Sequence, residues 1–140
     1  MPARSTKTVV AAKPLDEKIT LNIGYVDLGQ IDLLVQEGFY ANRTDMIRTA
    51  IRQQLAEHAA EVRQAVARRT LVLGIQHFSA ADLRAVRKAR QMLQVRVLGL
   101  ASIAPDVSPE LALATIESIA VLGALHASPA VKAALASRIR

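Results

Sequence analysis

Three hydrogen-bonding side chains stand at alternate positions of the segment KITLNIGYV, residues 18–26: the ammonium of Lys18, the hydroxyl of Thr20 and the amide of Asn22. They combine donors and acceptors with a single charge, a set for recognition by hydrogen bonding rather than for breaking bonds. Between them Ile19, Leu21 and Ile23 alternate strictly, the period of a strand with one dry face and one polar face.

The rest of the chain offers little reactive chemistry. With no cysteine there is no thiolate nucleophile, disulfide framework or cysteine metal site. Asp82, Asp106, Glu110 and Glu117 fall at capping or helix-surface positions, no Ser-His-Asp spacing appears, and Gly74, Gly99 and Gly123 are isolated glycines rather than a phosphate loop. His77 and His126 each follow a VLG tripeptide by three residues; as equivalent positions two strands apart they would stand roughly 10 Å from each other, too far to share a metal ion. His58 lies alone on a long helix. No catalytic residue, metal or cofactor is expected, and the chain does not read as an enzyme.

Charge points instead to an acidic partner. The net charge is +6, and its distribution is uneven: residues 1–60 carry seven basic and seven acidic side chains, whereas Arg63, Arg68, Arg69, Arg84, Arg87, Lys88, Arg90 and Arg96 outweigh Glu61 and Asp82 in residues 61–96. Nucleic acid is the natural candidate. The first residues lack the apolar core of a secretory signal, and no stretch approaches the roughly 20 apolar residues that span a bilayer, so a cytoplasmic protein with no membrane partner is expected. A chain of 140 residues, 51% hydrophobic but only 3% aromatic, can build one domain or two small ones on Leu, Ile, Val and Ala.

The elements that must position the polar strand follow directly. Residues 1–15 are small, polar and basic and read as a flexible arm. After the strand, Leu28, Ile31, Leu34 and Val35 form one helical stripe, with Asp27 as candidate cap and Gly38 as the stop. A longer helix opens at Asn42, three residues before Asp45, and carries Ile47, Ile51, Leu55 and Val62 at helical spacing. A lone strand would leave its backbone groups unpaired and its dry face uncovered. A second copy must therefore pair with it, giving a two-stranded antiparallel ribbon across a dimer axis. The dimer core would comprise Ile19, Leu21, Ile23, Leu28, Ile31, Leu34, Ile47, Ile51 and Leu55, with Lys18, Thr20 and Asn22 facing away from it.

The stretch EKITLNIGYVDLGQIDLLVQEGFYANRTDMIRTAIRQQL resembles the ribbon-helix-helix domain of CopG-type transcriptional regulators in its alternating strand, its EGFY turn and its second helix. The resemblance covers roughly residues 16–58. It implies an obligate homodimer, with higher oligomers on DNA a further option, that lays its ribbon in the major groove of double-stranded DNA and usually represses its target promoter. Gly24 and Tyr25 depart from the Ser/Pro-Glu ending common after such strands. On this reading Asn22 pairs with adenine, Lys18 donates to guanine, and Thr20 bonds a base or touches a thymine methyl. Asn42, Arg43 and Thr44, at the start of the second helix, are the phosphate contacts. Arg84, Arg87 and Lys88, at helical spacing further on, form a second candidate set beside the alternative of a solvated face.

VLG recurs at 72–74, 97–99 and 121–123, and three segments begin with a serine cap: Ser79, Ser108 and Ser128, the last two followed by proline. This predicts three strand-turn-helix units stacked as a small repeat module over residues 70–140. The expected fold class is α+β: a ribbon-helix-helix domain at 16–60, its second helix reaching as far as about 69, followed by the three-unit β-α module. The module could serve oligomerisation, an effector or a protein partner. Two other functions compete with a regulator, an antitoxin and a DNA-binding scaffold or partition-type protein; an autonomously folding second half weighs against an antitoxin tail that folds only on its toxin.

Overall fold

A computed structural model describes residues 15–140; nearly all of the expected arm lies outside them. Residues 17–24 belong to no helix and no ladder in the single chain. The expected strand over 18–26 is thus not formed here, because a strand exists through the ladder it shares with a neighbour and no second strand of this chain reaches it. Its last two residues are corrected outright. Helix α1 spans Tyr25–Gln36 and is capped by Gly24, not Asp27, with the Leu28 N–H donating to the Gly24 carbonyl. Asp27 sits in the first turn, where a carboxylate complements the positive end of the helix.

Gly38 stops α1 as expected. It adopts φ +84°, its N–H donates to the Val35 carbonyl, and the Phe39 N–H donates to that of Leu34, the paired bonds of a Schellman motif. Helix α2 then spans Arg43–Glu57. The long helix does not run unbroken: His58 leaves the helical range at φ −98° and ψ 15°, and α3 continues over Ala59–Arg69.

The remainder alternates strand and helix: β1 (Val72–Phe78), α4 (Ala80–Lys88), β2 (Leu93–Ile103), α5 (Pro109–Thr115), β3 (Ile116–His126) and α6 (Pro129–Ala134). The strands form one parallel sheet in the order β1-β2-β3, and the three VLG tripeptides lie in register, Gly74 beside Gly99 beside Gly123. All three glycines hold φ between +122° and +136°, and a Cβ on Gly99 or Gly123 would overlap the carbonyl oxygen of the preceding glycine in the column. No other residue fits at Gly99 or Gly123.

Serine caps start each helix. The Asp82, Leu111 and Val131 N–H groups donate to the hydroxyls of Ser79, Ser108 and Ser128 respectively. At Ser79 the bond is reciprocated by the Asp82 carboxylate, completing a capping box. Helix α4 ends at Lys88; Arg90 turns the chain at φ +55° and Leu93 opens β2. Helix α5 is likewise cut short, so Glu117, expected on a helix surface, stands on β3 and accepts from the Gln94 amide at 3.2 Å.

The core lies between one face of the sheet and the three helices. Val95, Val97, Ala101 and Ile119 meet Leu83, Leu111, Ala112, Val131 and Leu135, all buried. The buried Thr115 hydroxyl donates to the Leu111 carbonyl. Beyond α6, the Arg138 guanidinium donates to the carbonyls of Leu113 and Ile116, a cation placed at the negative end of α5.

Candidate nucleic-acid interface

Lys18, Thr20 and Asn22 are exposed, as a reading surface requires. The apolar residues alternating with them are uncovered too: Ile19 is 82% and Leu21 68% exposed, while Ile23 is half-buried. Among the nine residues expected to form the dimer core only Ile31 is buried in the single chain. Leu28, Leu34 and Ile47 are half-buried, and Ile51 and Leu55 are exposed. One strand with two short helices cannot bury these side chains by itself.

The start of α2 is built as the sequence suggests, with one addition. The Asn42 carboxamide oxygen accepts the Asp45 N–H at 2.8 Å, and the Asp45 carboxylate accepts the Ala41 N–H, one residue before the position a strict capping box uses. The N–H groups of Arg43 and Thr44, in the first turn, have no helical carbonyl to bond, as at any helix start. Arg43 is also gripped from α1: its Nε and one terminal nitrogen donate to the two carboxylate oxygens of Asp32 at 2.7 and 2.8 Å. Hydrogen bonding to Arg43 holds the Asp32 carboxyl below its ordinary pKa and raises that of the guanidinium. The pair joins α1 to α2 and leaves the other terminal nitrogen of Arg43 without a partner among the described residues. Asp32 is a residue of the site that spacing alone misses, since nothing in a carboxylate eleven residues upstream announces the pairing.

Arg84, Arg87 and Lys88 are exposed along α4, on the layer of helices, while Leu83 anchors the helix in the core. His77 Nδ1 lies 3.2 Å from the Ser102 hydroxyl, and His126 follows as the register partner of Ser102 on β3. Among the described residues no cluster of three or more His, Asp or Glu could hold a metal ion, and no helix is long and apolar enough to cross a membrane.

An exposed polar segment ahead of two helices, joined by a glycine-stopped turn and a capped second helix, is the order of elements expected of a ribbon-helix-helix DNA-binding regulator. The chain belongs to the ribbon-helix-helix transcriptional regulator family, whose model matches residues 14–132. It is also similar to an uncharacterized protein of Methanocaldococcus jannaschii, 40% identical over 45 residues that make up 32% of this chain and 46% of that protein. The chain thus spans about half the length of that relative. No solved structure matches it.

Proposed function

We propose that this regulator is a sequence-specific repressor that reads the major groove with a two-stranded ribbon made by two copies of the chain. The observation that carries the reading is the pairing of an uncovered apolar row, Ile19 and Leu21, with an exposed polar row, Lys18, Thr20 and Asn22, on one short segment. A second copy completes both rows at once. Strand pairing satisfies the backbone, the apolar rows close a core with Ile51 and Leu55, and the polar rows form a ribbon of the width a major groove admits. Asn22, Lys18 and Thr20 read bases, while Asn42, Arg43 and Thr44 at the head of α2 meet phosphate. The division that goes with this is a ribbon-helix-helix unit at 16–60 and a β-α module at 70–140.

Selection from a pool of random duplexes tests the reading. A homodimer reading bases should enrich a short sequence with two-fold symmetry. Recovery of DNA without an enriched sequence would contradict it.

An antitoxin is the second reading. Its opposing observation is the core of residues 70–140, in which Leu83, Val97, Ile116, Ile119 and Val131 are fully buried within the single chain. That core needs no toxin to form.

A further inference from the structure

We infer that a second copy of this chain covers the outer face of the β-sheet, the two sheets meeting face to face across the axis that pairs the ribbon. Val97 and Ala101 point into the helical layer and are fully buried, so the alternate positions of each strand point the other way. Those positions hold Leu73 and Ile75 on β1, Leu98 and Leu100 on β2, and Leu122 and Ala124 on β3, side by side through the register of the sheet. Leu73 is 68% and Ile75 61% exposed. Arg96 stands at an outward position, and Glu117 reaches the same end of the sheet by accepting from the Gln94 amide. Parallel sheets are almost always covered on both faces, and here no helix of the described residues covers this one.

What covers it follows from where the face leads. A cavity of about 540 Å³ lies on the sheet, walled by Leu73, Ile75, Leu98 and Leu100 on one side and on the other by Leu15 and Ile19 together with the acidic residues Asp16 and Glu17. A second cavity leads from Leu15 to Ile51 on α2, its other walls being the charged residues Asp16, Glu17, Arg48 and Arg52. The open sheet is therefore continuous with Ile19, a residue assigned to the dimer core under the reading above, on which this inference rests. The size of the face excludes an independent partner of the usual kind. Three strands about 4.8 Å apart with two apolar outward positions each give a patch of roughly 200 Å², against the roughly 800 Å² per side of a standard interface. Such a patch holds a partner only when another contact already keeps that partner close, and the ribbon supplies one. A second copy brings the same apolar residues to meet Leu98 and Leu100, while Asp16 and Glu17 share the lining of that cavity.

Single cysteines test this cleanly, because the native chain has none. Leu98→Cys on the face, Thr20→Cys on the ribbon and Lys88→Cys on the exposed side of α4 are each treated with a short bis-maleimide at micromolar protein, and covalent dimer is followed on denaturing gels. Ala124→Cys serves as a second probe of the face should Leu98→Cys fail to fold. Face and ribbon probes should link on the order of a hundredfold faster than Lys88→Cys, as effective concentrations in the millimolar range dictate. Linking by Thr20→Cys with neither face probe above the Lys88→Cys rate would overturn the inference and leave the ribbon standing. Linking by a face probe without Thr20→Cys would remove the ribbon and overturn the inference with it, since the contact would then not depend on the ribbon axis. Face links found only in assemblies of four or more chains would also overturn the inference, since the contact would then lie between pairs.

Discussion

At the scale of single residues, Arg43 has two employers. Asp32 takes two of its donors and joins the helix pair, while the other terminal nitrogen has no partner among the described residues. If that nitrogen meets phosphate in the complex, Arg43→Gln should weaken binding to every duplex alike and flatten the slope of log affinity against log salt by about 0.9, with base preference unmoved. An unchanged slope would confine Arg43 to joining α1 and α2. Asp82 makes a prediction of a different kind. The Ser79 backbone N–H, then the Ser79 side chain, hold its carboxyl below the ordinary range. A lowered folded value means that the carboxylate stabilises α4 above the unfolded value and loses that effect as the pH falls through the folded one. Acid should therefore loosen the start of α4, seen as faster amide exchange at Ser79, and Asp82→Asn should show little of this acid dependence.

At the scale of elements, the glycine column is the feature on which the sheet most depends. Gly99→Ala and Gly123→Ala should each unfold or misregister the sheet, because the added Cβ would meet the neighbouring glycine's carbonyl oxygen inside the ladder. Gly74→Ala has open space before it and only its φ of +126° to strain, so it should cost about 1–3 kcal/mol in a denaturant titration. Equal costs at the three positions would contradict the column. The spacing of VLG and the serine caps made the order of strands and helices legible from sequence, because both are local signals that repeat. What was not legible was where some elements stop, α5 above all. Helix α5 yields to β3 between Thr115 and Ile116 with no glycine or proline to mark the change, since burial in the sheet overrides the helical spacing of residues 109–120. In the candidate site the alternation of Lys18, Thr20 and Asn22 could be read directly. The Asp32–Arg43 pair could not, because it depends on how α1 lies against α2. The break at His58 also escaped, there being no residue at that point that forbids a helix.

At the scale of the whole molecule, the surplus positive charge of residues 61–96 is carried partly by α4, remote in sequence from the segment proposed to read bases. If α4 reaches DNA flanking the site, replacing Arg84, Arg87 and Lys88 together by Gln should flatten the salt slope by about 0.9 for each phosphate that these side chains neutralise. A constant slope would make the stripe a solvated face and leave DNA binding to the first half alone. The central claim, that one face of a shared ribbon reads sequence, is tested most directly by one comparison: the affinity ratio between the selected duplex and a scrambled one, for the native chain and for Asn22→Ala. The account predicts that the ratio falls by an amount equivalent to about 1–3 kcal/mol while affinity for the scrambled duplex and the folded state are unchanged. Equal weakening on both duplexes, or no change on either, would contradict it.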